Sequence, residues 1–69
     1  MKRRHVFSSN IRSVGYDPQT AVLEVKFHNN RVYQYLDVPP EEFDALMAAE
    51  SKGRFLNRVI KPQHPYRAA

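Results

Sequence analysis

Apolar residues recur at every second position along much of the stretch from residue 11 to 36, and at every third or fourth position after Pro39-Pro40. The first period belongs to a strand with one buried face and the second to a helix with one apolar stripe, so the chain must pack helices against a sheet. Strands are predicted over 11–17, 21–27 and 32–36. Asp17-Pro18-Gln19-Thr20 supplies the first turn, Asp opening it and Pro presetting the backbone. A two-residue hairpin there sets Val14 opposite Leu23 and Tyr16 opposite Ala21. It gathers Val14, Tyr16, Leu23, Val25 and Phe27 on one face as the sheet's share of the core. The second turn falls around His28-Asn29-Asn30, where asparagine tolerates left-handed backbone. Its length is open by one residue. One setting puts Tyr33 and Tyr35 in the core, and the other turns them outward as a platform on which bases could stack.

Pro39 and Pro40 open a helix at a position that tolerates their missing donors, and Glu41, Glu42 and Asp44 follow where the helix dipole favours acids. Phe43, Leu46 and Met47 make its buried stripe. Ser51 can cap a second helix running from Lys52 to about Ile60, which Pro62 is expected to stop. On a regular helical wheel Phe55, Leu56, Val59 and Ile60 fall together, while Arg54, Arg58 and Lys61 line the opposite side. The fold class is therefore α+β, a three-stranded antiparallel β-meander followed by two short helices packed on one face. The domain spans 6–66, after a basic extension over 1–5 and before a tail over 67–69, with residues from 63 onward extended and pinned by Tyr66.

The chain is 69 residues long with no cysteine, so no disulfide or thiolate metal site supports its thin core. Nothing resembles a signal peptide or a bilayer span, and a cytoplasmic location with no membrane partner is the expectation. The formal net charge of +4 is unevenly laid out. Residues 37–50 hold five acids and no base, whereas residues 51–69 hold five bases and no acid. Charge sorted in this way points to polyanionic partners.

Lys52, Arg54, Arg58, Lys61 and Arg67 are spaced to neutralise successive phosphates, with Arg12 and Arg31 able to add to the same face. The plainer account is a solvated helix face, or one paired with the acids of the preceding helix. Convergence of Arg54, Arg58 and Lys61 with Arg12 or Arg31, away from Glu41, Glu42 and Asp44, would favour binding. Ser51-x-Gly53 could bind an anion at a helix N-terminus, although capping by Ser51 and close packing at Gly53 is the simpler account. His5, His28 and His64 lack metal-ligand spacing, and no cofactor is expected. Ser8, Ser9, Ser13 and Ser51 have no evident activating base, and a domain of this size has little room for a water-excluding cleft. The expectation is a non-enzymatic protein.

Taken together, Val6-x-Ser8-Ser9-Asn10-Ile11, Val14-Gly15-Tyr16-Asp17, Leu23-x-Val25-x-Phe27, Tyr33-x-Tyr35-x-x-Val38-Pro39 and Ser51-x-Gly53-x-Phe55-Leu56-Asn57-x-x-Ile60 resemble the KTSC domain. That domain takes its name from the C-terminus of some lysyl-tRNA synthetases and also occurs as stand-alone small proteins. The resemblance implies an RNA-binding role and brings no catalytic residues. Where the family usually has glycine in the second turn this chain has Asn30, and where it often has arginine after the final Ile it has Lys61. The expected function is RNA binding through the basic face of the last helix, with Tyr33 or Tyr35 stacking on bases. The alternative is a protein-interaction module or homodimer that uses Val22, Val32 and Leu36 on the uncovered sheet face.

Overall fold

A computed structural model describes residues 3–6 and 10–69, residues 4 and 5 by their backbone alone. Ser8 and Ser9 lie outside the described residues. The class is α+β, as the periodicities require, but the sheet is wider than three strands. β1 (Arg3–His5), β2 (Ile11–Asp17), β3 (Val22–Phe27), β4 (Val32–Tyr35) and β5 (Tyr66–Ala68) form one antiparallel sheet in sequence order. The expected basic extension and tail thus supply the two edge strands. Arg3-Arg4-His5 shows no alternation in hydropathy and Tyr66-Arg67-Ala68 is only three residues long; what makes them strands is backbone pairing to β2 and β4.

The β2–β3 register places Tyr16 opposite Leu23 and Val14 opposite Val25, which corrects the predicted pairs by two positions. The cause is a longer turn. Ala21 donates to the Asp17 carbonyl at 2.8 Å, the Asp17 side chain accepts from Gln19 at 2.9 Å, and Ala21 takes a left-handed φ of 58°. A shift of two keeps every side chain on its predicted face, because strand faces alternate with period two. A bulge between Ile11 and Ser13 then turns Ile11 into the core and leaves Arg12 exposed.

The second turn settles the tyrosines. Phe27 donates to Arg31 at 2.9 Å around a loop closed by Asn30 at a φ of 68°, the left-handed conformation for which glycine would otherwise serve. Tyr33 therefore pairs with Val25 and Tyr35 with Leu23, and both join the core side of the sheet.

α1 (Pro40–Ala48) follows Pro39, which as a cap offers no side-chain acceptor. Its Phe43 stacks on Tyr16 at 4.7 Å, and the Tyr16 hydroxyl donates to the Val38 carbonyl, fixing the entry to the helix. After Ser51, α2 (Lys52–Phe55) runs without a break through a π-helical stretch (Leu56–Ile60) into α3 (Lys61–Gln63). The helix does not stop before Pro62. A proline ring clashes with the carbonyl four residues earlier, here that of Arg58, and the wider π turn just ahead of Pro62 accommodates it. Ile11, Val14, Leu23, Val25, Val38, Leu46, Leu56 and Ile60 are fully buried between helices and sheet. Each contributes about 1.5–3 kcal/mol relative to exposure.

Candidate nucleic-acid interface

The two faces of the sheet carry different chemistry. On the uncovered face one polar row crosses all five strands, with side chains from four of them. Arg3 meets Glu24 at 3.5 Å, Gln34 donates to Glu24 at 3.0 Å, and the Arg67 Nε donates to Gln34 at 2.9 Å. Gly15 stands between Arg3 and Glu24 in the register, and its missing side chain leaves the way across β2 open. Val22, Val32 and Leu36 are half-buried, and this row separates Val22 from Val32. The uncovered face is not an aromatic platform, and Arg67 belongs to its polar row rather than to a helix stripe.

The aromatic residues gather instead on the helix side, at the end of the sheet that the helices leave open. There a concavity of about 420 Å³ lies between β3, β4 and β5 and the C-terminal helical run. Phe27, Tyr33, Tyr35 and Tyr66 form its floor. Tyr33 meets Phe27 and Tyr66 edge to face at 5.9 Å each, and Tyr35 meets Tyr66 at 5.4 Å. The volume falls within the roughly 300–1,000 Å³ typical of ligand pockets, but the concavity is open to solvent and is not a water-excluding cleft.

The walls are basic and polar. Arg31 comes from the second turn and Lys61 from the helical run, with the Lys61 Nζ 5.7 Å from the centre of the Tyr66 ring. Asn29 stiffens the turn by accepting from the Arg31 amide at 3.0 Å, and Arg12 reaches Asn30 at 3.4 Å. Gly53 and Asn57 face the concavity from the helix, and no carboxylate lines it among the described residues.

The expected stripe of Arg54, Arg58 and Lys61 does not exist as one face. Arg54 and Arg58 border a second, shallower groove of about 300 Å³ together with Glu50, Phe55 and Val59. Lys61 lies on the other side because Lys61 donates to the Leu56 carbonyl, an i→i+5 bond that adds one residue to the turn. One extra residue rotates everything downstream by about 100° relative to a regular 3.6-residue helix. Lys52 is half-buried, its Nζ donating to the Ala49 carbonyl at 3.1 Å.

Tyr35 is 3% exposed and cannot stack on a base, whereas Tyr33 is half-buried beside the concavity. Burial, and then Tyr66 and Tyr33 alongside, push the Tyr35 hydroxyl up to a pKa of about 12. Tyr16 is also raised, first by burial and then by Glu41, Asp17 and Asp44. Ser51 acts as the cap, its hydroxyl accepting from the Arg54 amide at 3.3 Å. Among the described residues no cluster of three or more His, Asp or Glu could hold a metal ion. No helix among them is long and apolar enough to cross a membrane.

Sequence reasoning missed Tyr66 and Asn57 as site residues and His64 as a tether, and it weighed Gly53 only as part of an anion site at Ser51. The spacing of Gly53, Asn57 and Lys61 at i, i+4 and i+8 was the available signal for one helix face. His64 packs its Nε2 against both Glu42 oxygens at 2.9 and 3.0 Å, tying the segment before β5 to α1. The acid of α1 that engages a base thus pairs with histidine and leaves Arg31 and Lys61 apart from it.

A family model described as the KTSC domain matches residues 7–66. A crystal structure of a KTSC domain protein from Yersinia pestis superposes with a TM-score of 0.94 at 44% identity, covering 99% of this chain and 96% of that one. An uncharacterized protein of Stutzerimonas stutzeri is 52% identical over 93% of this chain and 90% of its own length. A lysine–tRNA ligase of Nostoc punctiforme is 38% identical over 77% of this chain, which corresponds to 9% of the ligase.

Proposed function

The chain belongs to the KTSC domain family, and on that basis we propose that it is a small, non-enzymatic, cytoplasmic RNA-binding module. Its polyanion contacts centre on Arg31 and Lys61, with Arg12 beside the second turn and Arg54 and Arg58 extending the charged surface around the helix. The observation that carries this reading is a concavity lined by two cations and, among the described residues, by no carboxylate. Such a surface attracts phosphate without a competing internal anion. The lysine–tRNA ligases that contain a related segment act on an RNA, which agrees with this reading.

Titration with RNA at several salt concentrations tests it. Affinity should fall steeply as salt rises, and Arg31→Ala or Lys61→Ala should each reduce the slope of log K against log salt by about one. Arg67→Ala, on the far face of the sheet, should change it least. Undetectable binding at low salt refutes the proposal.

A further inference from the structure

Resting on that RNA reading, we infer that the concavity receives an unpaired base of a single-stranded RNA, stacked on Tyr66, while Lys61 and Arg31 take the phosphates on either side. The charges ask only for a polyanion; the rings ask for more. Tyr66 is 47% exposed, the large hydrophobic side chain most open to solvent among the described residues. It is not loose, because Tyr33 holds it edge to face and Tyr35 lies tilted beneath it. An aromatic ring that is both fixed and open is a stacking platform, and one ordered before binding loses little freedom when a base arrives.

The Lys61 ammonium rests near that ring at 5.7 Å. A base stacking on the ring displaces it, and a phosphate of the same strand lies within the reach of a flexible lysine. The cation therefore exchanges a ring for an anion as the base enters. A duplex cannot do this, since its bases are stacked on each other and only its backbone and grooves are offered. Asn57, exposed on the helix wall, adds an amide that can donate to and accept from a base edge.

The test uses the full chain with three probes: a short oligouridylate, an RNA duplex of equal length, and uridine 5′-monophosphate. The expected result is that the oligouridylate binds at least tenfold more tightly than the duplex and quenches tyrosine fluorescence. Tyr66→Phe should preserve its affinity. Tyr66→Leu, which keeps the bulk that β5 needs, should lose about tenfold with an unchanged salt slope. Circular dichroism confirms that each variant folds, and quenching in the unmodified protein reports stacking without any variant. Equal or tighter duplex binding, with Tyr66→Leu neutral and no quenching, overturns this inference and leaves the RNA reading standing. Binding of the monophosphate as tightly as the oligomer also overturns it, in favour of a mononucleotide pocket. No binding of any probe at low salt overturns both.

Discussion

Tyr35 shows how one buried hydroxyl sets a limit on where this fold is stable. Its pKa is raised to about 12, whereas tyrosine in an unfolded chain ionises near pH 10. Between those values the unfolded chain releases a proton that the native chain retains, so ionisation favours unfolding. The stability linked to Tyr35 is therefore complete below about pH 10 and is lost as the pH rises through its folded pKa. Tyr16, also raised, acts in the same direction. Urea unfolding across an alkaline series should show a stability that declines above about pH 10, and Tyr35→Phe should make that decline shallower. The placement of both Tyr33 and Tyr35 turned on a single residue of loop length, which composition does not encode. Asn30 in left-handed backbone decided it.

Among the elements, α2 depends most on one side chain. Ser51 satisfies an amide that nothing else caps, and the helical run it starts supplies Gly53, Asn57 and Lys61 to the concavity. Ser51→Ala should cost about 1 kcal/mol, read as a fall of about 4–8 °C in Tm. Both helices were legible from their start signals, since Pro39-Pro40 and Ser51 act locally. The distribution of charge around the second helix was not, because a helical wheel assumes a constant period. Pro62 broke that assumption: instead of ending the helix it is accommodated behind a π turn, which separates Lys61 from Arg54 and Arg58. The edge strands were illegible for a different reason. Strands of three residues are too short for a hydropathy period to register, and their pairing is a property of the neighbouring strand.

At the scale of the whole molecule, one sheet face carries a polar row and the other the core with its aromatic concavity. The row from Arg3 through Glu24 and Gln34 to Arg67 would have to lose water for two copies to join through the uncovered face, and charged rows are poor interface centres. Light scattering after size exclusion should accordingly give a monomer, whereas a stable dimer would restore Val22, Val32 and Leu36 as an interface. The core face was legible because an even shift in register leaves it unchanged. The concavity was not, since its residues come from the second turn, the helical run and the last strand, which no local pattern connects.

β5 ties the two sheet faces to a single register. Tyr66 pairs with Tyr35 and Arg67 with Gln34, some thirty positions away in sequence. A slip of one residue there would turn the ring toward the uncovered face and carry the guanidinium to the helix side, because strand faces alternate with period two. The concavity and the polar row would then be lost together.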